Sequence, residues 1–176
     1  NDENMSYRLI AAFFAASLCG AIATPLNAWW TGPELQYALA DSGSKIAIVD
    51  AERWQRIEEQ LPQCPELTRV YVTREPGELR HPLAQRLESV LGVANDWYKL
   101  PELPLPNIEL AADDDATLFY TSGTTGKPKG ALGTHRNICT NIATGAFVQA
   151  RVLLRRGEPA PAQGPDDPQK CSLLVV

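Results

Sequence analysis

Metal ligands are scarce in this sequence. Its four cysteines, Cys19, Cys64, Cys139 and Cys171, stand far apart with no CxxC pair, and His81 and His135 are the only histidines. Neither a zinc site nor a disulfide framework fits that spacing, and the cysteines read as buried or inert thiols. Four free thiols suit a reducing compartment, so the expected location is the cytoplasm. A surplus of positive charge is missing as well. Sixteen Lys and Arg face twenty-one Asp and Glu, a net charge of −5, which argues against nucleic-acid binding through bulk charge. No apolar run is long enough to span a bilayer. Leu9 to Ala23 (LIAAFFAASLCGAIA) imitates a secretory signal after Arg8, but acidic NDEN precedes Met5. A buried helix running into a buried strand accounts for the same residues. There is no internal repeat.

What is present is an ordinary folded composition, 176 residues with 44% apolar and 21% charged. That suits one domain or a piece of a larger one. Ser6 to Leu18 reads as a helix that Gly20 breaks before an extended run, Ala21 to Pro25. Thr31-Gly32-Pro33-Glu34 is a capping box for a helix whose apolar face is Leu35, Ala38 and Leu39 and whose stop is Gly43. Lys45 to Asp50 (KIAIVD) is a strand. Asp50 can cap the next helix, Ala51 to Leu61, which stops before Pro62. Arg69 to Thr73 is a further strand, and Leu83 to Leu91 reads as a helix. Leu100 to Pro106 (LPELPLP) is an extended connector. The strand Ala116 to Tyr120 follows Asp113-Asp114-Asp115, then come a short strand, Gly130 to Leu132, and a helix from Thr134 to about Leu154. This alternation predicts an α/β fold with a largely parallel sheet and flanking helices. Residues 157–169 read as a flexible, proline-rich loop. The apolar ending Ser172 to Val176 predicts a chain that continues. Trp29 and Trp30 read as core residues rather than interface residues.

One segment carries chemistry: Leu118 to Gly130, LFYTSGTTGKPKG. Backbone amides at a glycine-rich turn can converge on an anion, and glycine permits close approach and positive φ. Thr121, Ser122, Thr124 and Thr125 add hydroxyls, and Lys127 and Lys129 add cations, a set suited to polyphosphate. Ligands of open α/β sheets bind beyond the carboxyl ends of strands, where this loop would lie. Spacing excludes two familiar alternatives. Gly123 and Gly126 are too close together for a Walker loop, Pro128 stands where Ser or Thr is required, and GxGxxG is absent. Two other readings stay open. Gly123 to Gly126 matches the GXXG of a KH nucleic-acid module, and a Ser/Thr/Gly loop can be a plain turn in a non-catalytic α/β interaction domain.

YTSGTTGKPKG followed by Thr134-His135-Arg136-Asn137 resembles the phosphate loop of the adenylate-forming, AMP-binding superfamily. A second stretch, ASLCGAIATPLN (Ala16 to Asn27), looks like an upstream motif of that family, in the right order. PLNAWWTGPEL looks most like fatty-acyl or medium-chain acyl-CoA ligases. The resemblance covers most of the chain and implies that residues 1–176 are an incomplete portion of the family's large N-terminal domain, with its phosphate loop at 120–130. It implies that Thr121, Ser122, Gly123, Thr124, Thr125 and Gly126 wrap the β- and γ-phosphates of Mg-ATP, with Lys129 assisting. Lys127 and His135 are further candidates, and His135 fits a helix-start role as well. The implied parent activates a carboxylic acid, expected to be a fatty acid, as its adenylate and passes it to coenzyme A, using ATP and Mg2+. No catalytic triad is required, no protein-held metal is expected, and the isolated piece is expected to be inactive. Nucleic acid is not an expected partner.

Overall fold

The computed structural model describes residues 3–121 and 126–158. Their elements follow in the order α1 (Glu3–Leu18), α2 (Gly32–Asp41), β1 (Ile46–Asp50), α3 (Ala51–Ile57), β2 (Arg69–Thr73), β3 (Ala84–Arg86), α4 (Glu88–Leu91), β4 (Asp115–Thr121), β5 (Lys129–Thr134) and α5 (His135–Arg155). Two compact units divide after Arg136, and α5 supplies most of the described part of the second. Beyond Gly157 and Glu158, the loop expected at 157–169, the terminal apolar run and Cys171 lie outside the described residues.

The α/β expectation holds. β1, β2 and β3 form a parallel sheet in that order, with Ile46 opposite Arg69 and Val70 opposite Ala84. Side chains alternate across a strand, so Ala47, Val70 and Val72 all reach one face. There they join Leu35, Leu39, Trp54 and Ile57 from α2 and α3 in a single buried cluster. Burying these side chains away from water is the main force holding the helices to the sheet.

Local signals decide where α2 and α3 start and stop. The Thr31 N–H donates to Glu34 Oε2 at 2.7 Å, and the Thr31 hydroxyl donates to the same oxygen at 2.8 Å. That backbone hydrogen bond holds the Glu34 carboxyl below its usual range. At the other end Gly43 takes φ +60, while Gly43 N–H reaches Ala40 O and Ser44 N–H reaches Leu39 O. This is the paired closure in which a left-handed glycine satisfies the last helical carbonyls. Asp50 Oδ1 accepts from Arg53 N–H at 2.9 Å and caps α3. Gly32 lies so close to α3 that a Cβ there would sit 2.4 Å from Arg56 O. Gly32→Ala is therefore expected to cost about 1–3 kcal/mol of stability through overpacking. A denaturant melt checks this, and an unchanged midpoint would contradict the tight α2–α3 approach.

Three expectations need correction. The helix from Ala51 does not run to Leu61. It ends at Ile57, and a 3-10 turn, Glu58–Gln63, contains Pro62. In an α-helix the Pro62 ring would clash with the carbonyl four residues back, and the chain tightens to a short 3-10 run instead. The segment from Leu83 is not one helix either, because Ala84–Arg86 is β3. Val70 N–H donates to Leu83 O and Leu87 N–H donates to Val72 O, so the open edge of β2 captures it. Beside the parallel sheet, β4 and β5 form a separate antiparallel pair. Finally, Trp29 is 84% exposed, whereas Trp30 packs against the core. The turn before α2 has room to turn only one of the two indoles inward.

Candidate functional site

The glycine-rich loop sits at the tip of a hairpin. β4 and β5 pair antiparallel, with Tyr120 opposite Gly130 and Thr121 opposite Lys129. Two glycines make this pairing possible. A Cβ on Gly130 would lie 2.8 Å from Leu118 Cδ1, and one on Gly133 would lie 2.8 Å from Thr117 Oγ1. The hairpin is anchored through β4, where Ala116 and Thr117 are buried. Ala23 bridges to it in parallel: its N–H donates to Ala116 O at 2.9 Å and its carbonyl accepts from Leu118 N–H at 3.0 Å. The two sequence motifs, distant along the chain, thus lie side by side in space.

Thr121 ends β4, exposed, with its hydroxyl donating to Lys129 O at 3.4 Å. Gly126 takes φ +90 with open space where a side chain would point. Lys127 and Lys129 are both exposed, and Lys127 Nζ stands 5.3 Å from the centre of the Tyr37 ring. Ser122, Gly123, Thr124 and Thr125 lie outside the described residues. His135 does not share the tip. The register sets Asp115 opposite Thr134, so His135 begins α5 at the other end of the hairpin, about 20 Å along the strand from Thr121. Its N–H donates to Asp114 O at 3.1 Å, and its Nε2 is buried with no hydrogen-bond partner among the described residues.

Sequence reasoning missed the residues beneath the loop. The Tyr120 hydroxyl donates to Asp41 Oδ2 at 2.7 Å, and its ring meets Trp30 edge to face at 6.2 Å. Burial first, and then the Asp41 carboxylate, raise the Tyr120 phenol above the ordinary tyrosine range, so it stays a proton donor at neutral pH. Tyr37 and Asp41 are four residues apart and therefore neighbours on the surface of α2. That spacing was readable, but nothing local marked the pair as facing a hairpin.

Among the described residues, the tip presents the Thr121 hydroxyl, the Gly126 backbone and two ammonium groups to solvent. The Gly123–Gly126 stretch falls between two strands, whereas the loop of a KH module joins two helices. Among the described residues, no three His, Cys, Asp or Glu side chains are grouped to hold a metal. No described helix is long and apolar enough to cross a membrane.

A family profile described as AMP-binding enzyme matches residues 3–162, nearly the whole chain. The chain belongs to the AMP-binding enzyme family. Among its relatives, the long-chain-fatty-acid–CoA ligase FadD13 of Mycobacterium tuberculosis is 32% identical over 142 residues, covering 76% of this chain and 24% of the relative. A feruloyl-CoA synthase of an Amycolatopsis species is 34% identical over 136 residues, covering 76% of this chain and 23% of the relative. The crystal structure of the anthranilate CoA ligase AuaEII in complex with anthranoyl-AMP superposes with a TM-score of 0.56 at 29% identity. It matches 72% of this chain and 23% of its own. The chain thus spans about a quarter of the length of the curated relatives it matches. This AMP-binding family chain carries its glycine-rich segment between the two strands of a hairpin.

Proposed function

We propose that this chain is the phosphate-gripping part of an ATP-dependent acid–CoA ligase, and that residues 120–130 hold the β- and γ-phosphates of ATP. The observation that carries this reading is the hairpin tip. Thr121, Gly126, Lys127 and Lys129 stand together there in solvent, in a chain of the AMP-binding family. Ser122, Gly123, Thr124 and Thr125 complete the grip.

The chemistry asks little covalent work of the protein. The substrate carboxylate attacks the α-phosphorus in line, the bond to the bridging oxygen breaks, and pyrophosphate leaves with that electron pair. The thiol of coenzyme A then attacks the acyl carbon and displaces AMP. Lys129 neutralises charge on the β- and γ-phosphates as pyrophosphate departs, and Lys127 adds a second cation. Gly126, already at positive φ, lets backbone amides approach the phosphate oxygens. The Thr121 hydroxyl donates at the mouth of the loop. Mg2+ arriving with ATP would supply further neutralisation, bound to the phosphates rather than to a cage of side chains. His135, at the far end of the hairpin, serves the start of α5 instead of the phosphates.

The acid is a carboxylate with an apolar acyl part, and a fatty acid is the reading favoured by PLNAWWTGPEL and by the FadD13 relative. The named relatives also include ligases of aromatic acids, which makes an acid panel the necessary assay. The full-length product of the gene that encodes this chain should exchange labelled pyrophosphate into ATP only when an acid is added. The 176-residue chain alone should not. Acid-dependent exchange by the chain alone would overturn the second expectation, and no exchange by the full-length product with any acid would overturn the first.

A further inference from the structure

Residues on both flanks of the loop meet a helix to which no role has been attached. Tyr120 directly precedes Thr121, the first residue of the proposed grip. Its ring is fixed on three sides. Trp30 meets it edge to face at 6.2 Å, and Gly130 stands opposite Tyr120 on β5. The third constraint is the hydroxyl, which reaches α2: Asp41 Oδ2 at 2.7 Å and Ala38 O at 3.5 Å. The other flank of the loop meets the same helix, where Lys127 Nζ stands 5.3 Å from the Tyr37 ring centre. Tyr37 and Asp41 are one turn apart on α2, so a single helical face meets both ends of the loop.

We propose that Asp41 is a positioning residue for the phosphate loop, acting through its hydrogen bond to Tyr120. This rests on the ATP reading above. Asp41 is exposed, so burial does not require a carboxylate here; its oxygen holds the hydroxyl that fixes the strand end from which the loop departs. α2 is itself fixed at both ends, by the Thr31–Glu34 cap and by the Gly43 closure. The brace therefore ties the loop to the rigid layer of the fold. A loop set about an ångström away from its ligand forfeits much of the benefit of preorganised charge.

The test uses acid-dependent pyrophosphate exchange by the full-length gene product, with KM measured separately for ATP and for the acid. Tyr120→Phe and Asp41→Ala should each raise KM for ATP by about tenfold, the size expected for losing a hydrogen bond to a charged group. KM for the acid should stay where it was. Asp41→Asn, which keeps an oxygen acceptor for the hydroxyl, should recover most of the loss. The double variant should match the single ones, because both remove one and the same contact. Tyr120→Phe deletes one atom and keeps the ring, so it decides the question even if Asp41→Ala fails to fold. The proposal is overturned if neither KM moves, if both rise together, or if the double variant shows the product of the single effects. A wild-type protein without exchange would instead overturn the ATP reading on which it stands.

Discussion

Lys129→Ala should lower kcat/KM for ATP by about two to three orders of magnitude, the range seen when one preorganised charge donor is removed from a transition state. The side chain is exposed at the start of β5, and its backbone is held opposite Thr121 by the hairpin ladder. The backbone that carries the ammonium is thus held by a strand ladder, which favours electrostatic stabilisation with little reorganisation. Stability should hardly change, because exposed substitutions of this kind usually stay within about 0.5 kcal/mol. The pair of measurements is what gives the prediction its force: a large kinetic loss at an unchanged melting temperature. Lys129→Arg should recover part of the rate, since it keeps the charge but replaces a compact ammonium with a planar fork. Equal ATP kinetics in Lys129→Ala and wild type would return the segment to a plain hairpin turn.

The candidate site could be named from sequence because the chemistry proposed for it is carried by residue types within one short stretch. Glycines, hydroxyls and lysines between strand-forming residues imply an anion, and spacing alone removed the Walker and dinucleotide loops. What stayed hidden was the support. Tyr120 and Asp41 are 79 residues apart in sequence, and neither is unusual where it stands. The separation of His135 from the loop was hidden for a related reason. Both flank β5 in sequence, yet a strand carries its two ends far apart, and only the pairing register says which end belongs to the site.

The fold divides along the same line. The Thr31–Glu34 cap, the Asp50 cap and the Gly43 stop follow from interactions within a few residues, and each is where the sequence puts it. Leu35, Ala38 and Leu39 are buried as the helical periodicity requires. Ala84–Arg86 became a strand because β2 offered it an unpaired edge, a demand that no local pattern in those residues expresses. Trp29 and Trp30 are identical in type and adjacent, so composition could not separate them; only the fixed start of α2 decides which one faces the core.

Trp54→Ala is expected to cost about 3–5 kcal/mol, a large share of the roughly 5–15 kcal/mol that keeps an ordinary domain folded. Trp54 is 3% exposed at the centre of the cluster joining α2 and α3 to β1 and β2, and its ring stands edge to face with His81 at 6.1 Å. Its removal opens a cavity that the flanking strands cannot fill, because their register is fixed by the parallel ladder. Trp54→Phe leaves a smaller void and should lose less. A urea titration followed by circular dichroism separates the two variants by midpoint, and coincident midpoints would contradict the packing. The functional consequence runs through α2. Leu35 and Leu39 belong to the same cluster, and α2 carries Asp41, so loosening the core should also loosen the brace beneath the loop. Trp54→Ala should therefore weaken ATP use together with stability, whereas Lys129→Ala should weaken ATP use alone. That contrast separates the residues that hold the hairpin in place from the residue proposed to meet the phosphate.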